Sequence, residues 1–260
     1  MNKYRLHTMF LGLLALLTVV LFSYQYIHFS ICISIIIGLF VIHTTITVLG
    51  AYFIQLNYFI RSINKGVLTT KSVALTFDDG PHDNTQAVLD VLAKYQVPAT
   101  FFIIGKNIAS KESTLQQIDA AGHRIGNHSF EHSYWYSIKP VKELVQDIQK
   151  NNALIESVIH EKVRWFRPPY GVTNPRIASA ITNTRMQSIG WNIRSYDTVG
   201  DSVEKTLARI TYKLKGSDIV LMHDSLDTTA QLLEKLILHC QKEQIEIVSL
   251  EKLIEQKAYE

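Results

Sequence analysis

From residue 6 to residue 60 the chain carries no Asp, Glu, Lys or Arg, whereas charge is spread through everything that follows. One crossing of a hydrocarbon core needs ~20 apolar residues, so this run predicts two membrane helices, 8–24 and 30–56, with polar Gln25 and His28 at the break. A secretory leader would show a small-residue cleavage site with mature sequence directly after it. Here more apolar sequence follows, which points to a retained anchor over residues 1–60, a linker over 61–70 and a single domain over 71–260.

In that domain short β-rich apolar runs alternate with amphipathic stretches. The expected strands are 73–77, 100–104, 124–127, 163–167, 187–191, 219–223 and 246–248; the expected helices are 85–95, 112–121, 141–159, 174–183, 203–214 and 228–242. Repeated β-α units of this kind predict an α/β fold around a mostly parallel sheet or barrel. Glu143, Leu144, Ile148, Leu154, Ile155 and Val158 show helical spacing of the apolar residues, so one face of that helix packs on the sheet. Roughly 190 residues suffice for one sizeable core and are too few for two ordinary enzyme domains.

Composition narrows the function classes. The net charge is +3, acids and bases are interspersed and no basic run occurs, so a nucleic-acid footprint is not expected. Cys32 lies in the apolar run and Cys240 near the C-terminus, which argues against a disulfide between them. Lys3 and Arg5 precede the apolar run and Arg61, Lys65 and Lys71 follow it, so the positive-inside rule gives no clear orientation.

Several expected strands run into polar groups, and in β/α barrels catalytic groups collect at the carboxyl ends of the strands. The first leads into Asp78-Asp79-Gly80-Pro81. Adjacent carboxylates point different ways, so one can bind a metal while its neighbour acts as a base; a plain Asx turn is the competing reading. His128-Ser129-Phe130-Glu131-His132 places two imidazoles four apart, and a helical turn would put both on one face, within reach of one ion with zinc the natural candidate. A carboxylate from elsewhere must complete such a site, and Asp79 fits. In Arg167-Pro168-Pro169-Tyr170-Gly171 the prolines stiffen a loop that can aim Arg167 at a carboxylate and the Tyr170 N–H at an oxyanion, unless it is an ordinary stiffened surface loop. The strand 219–223 ends in His223, and an acid such as Asp197 beside it would favour the imidazolium, which can protonate a leaving amine. A purely structural histidine is the alternative.

Together and in this order, T-F-D-D-G at 76–80, H-S-x-x-H at 128–132, R-P-P-Y-G at 167–171 and L-M-H-D at 221–224 resemble the motifs of the polysaccharide deacetylase family, the NodB homology domain of carbohydrate esterase family four. The resemblance implies a distorted (β/α)7 barrel and a divalent metal, zinc, held by Asp79, His128 and His132. It further implies Asp78 as base, Arg167 as its orienting partner, the Tyr170 N–H at the oxyanion, His223 paired with Asp197 as the acid, and Leu221 against the acetyl methyl group. The reaction implied is removal of N-acetyl groups from N-acetylhexosamine units of a glycan.

One segment departs from the pattern. Where the family has Asp-x-x-Asp-Trp, this chain reads Arg194-Ser195-Tyr196-Asp197-Thr198, keeping the second acid only. The expected substrate is a cell-envelope polysaccharide such as peptidoglycan if the domain faces outward from the cell membrane. A lipid-linked sugar, a chitin-like oligosaccharide or a glycan-binding pseudoenzyme role are the alternatives.

Overall fold

The computed structural model describes residues 2–260. Two apolar helices come first, α1 (Lys3–Ser23) and α2 (Phe29–Tyr52), separated where Gln25 takes a left-handed backbone (φ 61). They pack side by side, yet nearly all their apolar side chains face outward. A core helix of a soluble protein would be mostly buried; these are long and apolar enough to cross a membrane.

The rest is one curled sheet wrapped by helices. Its strands are β1 (Ser72–Asp78), β2 (Ala99–Ile103), β3 (Arg124–Asn127), β4 (Trp165–Phe166), β5 (Gln187–Ser188), β6 (Ile193–Arg194), β7 (Asp218–His223) and β8 (Glu246–Ile247). Their order is β5-β4-β3-β2-β1-β7-β6, with β8 beside the start of β1, and the neighbours run parallel. The helices are α3 (Thr85–Tyr95), α4 (Gly105–Ile108), α5 (Glu112–Ala120), α6 (Val141–Ile159), α7 (Pro175–Asn183), α8 (Val203–Lys213), α9 (Thr229–Lys242) and α10 (Leu250–Ile254). Every expected strand and helix is present. The expected strands 163–167 and 187–191 shorten to two residues each, and β6, α4 and α10 are additional.

Period-two alternation divides the core. Val73, Leu75 and Phe77 of β1 pack outward against the helices, with Leu92, Leu144, Ile148 and Leu236. Ala74 faces the interior with Phe102, Trp165, Ile189, Trp191 and Leu221, and Thr76 and Asp78 share its side by alternation.

The sheet does not close on itself, because residues 54–66 fill the gap between β5 and the β6–β7 edge. Ile63 pairs with Ile189, its N–H donating to the Ser188 carbonyl at 2.9 Å while it accepts from Gly190 at 2.8 Å. Lys65 pairs with Asp218 on the other side. Ile54, 2% exposed, joins the interior cluster. Residues 61–66, part of the stretch 61–70 read as a linker, are thus bonded into the wall, while 54–56, expected as the end of the second membrane helix, lie beyond α2, which stops at Tyr52. The ends of both apolar helices lie against the domain: Tyr4 N–H donates to the Tyr58 carbonyl at 3.1 Å and Thr173 N–H to the Ala51 carbonyl at 3.0 Å.

Candidate active site

The carboxyl ends of β1, β3, β4 and β7 converge on a cavity of about 240 Å3 lined by Asp78, Asp79, His128, His132, Tyr170, Leu221 and His223, with Trp191, Arg194 and Thr198. Each side chain is aimed by local backbone. Asp78 ends β1 pointing inward. Asp79 follows in a left-handed conformation (φ 74), which swings the second carboxylate to a different direction, and Asn107 fixes that turn by donating to the Asp79 carbonyl at 2.9 Å.

Residues 128–132 form no helix, contrary to the expectation of one helical turn. Side chains take the amides a helical ladder would need. Asn127 accepts from Ser129 N–H at 2.7 Å, Asp147 from Phe130 N–H at 2.8 Å and Glu131 N–H at 3.0 Å, and the Ser129 hydroxyl from His132 N–H at 3.0 Å. Ser129 (φ 69) and His132 (φ 47) are left-handed, so the loop curls and brings the two imidazoles to 4.8 Å between ring centroids. The proximity expected from the spacing is present; its cause is a stapled loop.

Arg167 is fully buried on β4's exit. It donates to Asp78 Oδ1 at 2.7 Å, to the Thr76 hydroxyl at 2.9 Å and to the Gly190 carbonyl at 2.9 Å, with its guanidinium 4.0 Å from the Phe102 ring centroid. Across the cavity Asp197 accepts both the ring Nδ1–H and the backbone N–H of His223 at 2.8 Å. Tyr170, left-handed at φ 60, forms part of the wall.

These contacts set the protonation states. Burial would raise the Asp78 pKa, but the Arg167 charge and hydrogen bond, with the charge of His223, outweigh it and hold the carboxyl below its ordinary value. Burial pushes His128 and His132 down to about 4, so both imidazoles are neutral. Burial also opposes protonation of His223, yet the Asp197 hydrogen bond and charge prevail and raise it to about 9.

The donor set fits a metal ion. One ligand atom each from Asp79, His128 and His132 lies within 4.8 Å of the others. His128 Nδ1–H donates to the Arg167 carbonyl at 2.7 Å, leaving the Nε2 lone pair free, and that atom sits 3.6 Å from Asp79 Oδ1. His132 Nε2 sits 3.5 Å from the same oxygen, which is buried without a hydrogen-bond partner. A buried orphan carboxylate oxygen between two neutral imidazoles is the chemistry of a divalent-cation site.

Supporting residues escaped the sequence reading. Asn107, Asp147, Asn127 and Asn151 hold the two ligand-bearing loops, and Asn151 donates to the Asn127 side chain and the Ser129 carbonyl at 2.9 Å each. Asp224, raised to about 7 chiefly by burial, accepts from the Thr85 hydroxyl at 2.6 Å behind Gly80. A Cβ at Gly80 would stand 2.4 Å from Asp224 Oδ2, so only glycine fits there. None of the four residues that hold the loops sits in a spacing that announces chemistry; Asp224 closes the L-M-H-D motif at 221–224 but was given no role.

Comparison with known proteins supplies independent findings. The polysaccharide deacetylase profile matches residues 65–189. A peptidoglycan-N-acetylglucosamine deacetylase of Bacillus cereus is 31% identical over 193 residues, covering 72% of this chain and 90% of the relative. One of Listeria monocytogenes is 30% identical over 198 residues, covering 73% of this chain but only 40% of the relative, so the chain spans well under half of that protein's length. The crystal structure of a carbohydrate esterase family 4 pseudoenzyme from Bacillus anthracis superposes with a TM-score of 0.69 at 27% identity, covering 74% of this chain and 68% of that one.

Proposed function

The chain belongs to the polysaccharide deacetylase family, and from that premise we propose that it is a membrane-anchored, metal-dependent hydrolase that removes N-acetyl groups from N-acetylhexosamine units of a cell-envelope glycan. Peptidoglycan is the substrate that its relatives suggest. The observation that carries the reading is a pair of oppositely partnered groups lining one cavity: Asp78 bonded to the Arg167 guanidinium at 2.7 Å, which favours its ionised form, and His223 bonded to the Asp197 carboxylate at 2.8 Å, which favours its protonated form. Environments that push two titratable groups apart assign a base and an acid.

Asp79, His128 and His132 would hold the ion, and neutral nitrogen donors with one carboxylate favour zinc. When bound, such an ion lowers the pKa of water and polarises a carbonyl. Asp78, ionised and fixed by Arg167, takes the proton of the water that attacks the acetamide carbon. The Tyr170 N–H donates to the oxygen on which charge develops. His223 then passes its Nε2 proton to the sugar nitrogen as the C–N bond breaks, and Asp197 keeps the ring oriented while it does so. Leu221 packs against the acetyl methyl group. Free amine and acetate are the products.

α1 and α2 would cross the cell membrane with the domain on its outer face. Thr173, two residues beyond cavity-lining Gly171, donates to α2's Ala51, so one wall of the cavity lies within ~10 Å of the membrane helix. That juxtaposition favours, as a second reading, a glycan still attached to a membrane lipid. Acetate release by the full chain in detergent, from N-acetylated chito-oligosaccharides and from peptidoglycan, tests the activity; no release from any N-acetylated glycan would leave a binding role.

A further inference from the structure

The cavity holds a cation that the hydrolysis does not use. On β6, Ile193 packs outward into the helix-facing core while Arg194, beside Leu221 in register, turns inward and lines the same cavity as Asp78, Asp79 and His223. The neighbouring arginines are occupied: Arg167 pairs with Asp78 and Arg209 with Asp201. Arg194 has no carboxylate partner among the described residues. Its guanidinium lies against aromatic faces instead, 5.0 Å from the Tyr196 ring centroid and 5.8 Å from that of Trp191. Stacking steadies the guanidinium plane and leaves its N–H edge free to donate.

Cleaving a neutral acetamide gives a free guanidinium no task, and a half-buried charge without a counterion is unfavourable. A planar fork of donors matches a carboxylate or a phosphate. We propose that Arg194 binds an anionic substituent, a carboxylate or a phosphoester, on the sugar being deacetylated or on the residue next to it, so that the substrate class is an acidic N-acetylated glycan. Thr198, which lines the same cavity, is a smaller side chain than the tryptophan of the family pattern. This rests on the deacetylase reading for the reaction, though the binding itself can be measured without turnover.

The test uses the full chain in detergent. Acetate release is compared for neutral N-acetylated chitotetraose, a tetrasaccharide containing N-acetylmuramic acid and N-acetylglucosamine 1-phosphate; calorimetry measures binding of the same three to the Asp78→Asn chain. The expected result is an advantage of about tenfold or more for one anionic compound at low salt, expressed mainly in KM, weakened by salt, abolished by Arg194→Gln and only partly kept by Arg194→Lys, which retains the charge without the planar fork. The muramic acid arm winning assigns a carboxylate; the 1-phosphate arm winning assigns a phosphoester. If no compound is turned over, the deacetylase reading fails and the calorimetric preference alone decides the role of Arg194. Equal binding of neutral and anionic compounds, or an Arg194→Gln effect of equal size on all three, overturns the proposal.

Discussion

The Arg167 guanidinium and the Asp78 carboxylate meet at 2.7 Å with both side chains out of solvent. Removing one member of a buried pair strands the other, at a typical cost of ~3–5 kcal/mol. Arg167→Met is therefore expected to lower the melting temperature sharply. The double variant Arg167→Met with Asp78→Asn should recover part of that loss, because the stranded charge is gone. Thermal unfolding of the detergent-solubilised chain checks this; equal loss in both variants would show that the charge pair is not what the site depends on.

Asp147 sits on α6, away from the cavity lining, yet it accepts the Phe130 and Glu131 amides that curl the histidine loop. Groups that orient metal ligands typically contribute ~10–100-fold to metal affinity. Asp147→Ala is expected to weaken zinc binding by that order, read by competition with a chelating dye. His132→Ala, which removes a ligand itself, should weaken it further. Unchanged affinity in Asp147→Ala would mean that the loop holds its shape without the staple.

The protonated state of His223 depends on Asp197. Its folded pKa, about 9, lies above the ordinary 6.5, so activity that needs the imidazolium should hold up to about pH 9 and fall above it. The sign for stability is the same: the contribution of this pair is full below pH 6.5 and is lost as pH rises through 9. In Asp197→Asn burial is no longer opposed by that acid, so the alkaline limb of kcat should move down by a unit or more, with ~10²-fold less turnover at pH 8. A limb that stays in place would remove His223 from the role of acid.

Of the three tryptophans, Trp165 and Trp191 are buried while Trp135 is 64% exposed. It lies with exposed Tyr134 and Ile138 on the loop that Asn174 and Arg176 tether beside α2's end. With α1 and α2 crossing a membrane, as proposed, this aromatic group would lie near its surface, and Trp and Tyr favour the membrane interface. In vesicles containing lipids brominated near the headgroup, Trp135 fluorescence should be quenched, and Trp135→Phe should abolish the quenchable fraction. No quenching would place this loop in water.

The site was far more legible in the sequence than its scaffolding. Asp78, Asp79, His128, His132, Arg167, Tyr170, Leu221 and His223 all line or support one cavity, and Asp197 reaches His223. For Asp78, Asp79, His128, Arg167 and His223 the signal was a position at or just beyond the end of an apolar run; Leu221 was singled out only through the family resemblance. What spacing misjudged was the local backbone. A four-residue interval between histidines fits a helix as well as a curled loop, and the choice was made by Asp147 and Asn127, distant or silent in the pattern. β6 was missed because two residues, Ile193 and Arg194, are too few to show period two. The part of residues 54–66 in the sheet was missed because single bridges at Ile63 and Lys65 leave no periodic trace.

The most direct measurement is acetate release from N-acetylated glycan by the full chain, assayed after chelation and again after zinc is restored, alongside Asp78→Asn loaded with the same zinc. Loss on chelation, recovery with zinc, and a deficit of ~10²–10⁴-fold in the zinc-loaded variant are the predicted results. Acetate release that survives chelation, or that Asp78→Asn supports at the wild-type rate, would contradict the account.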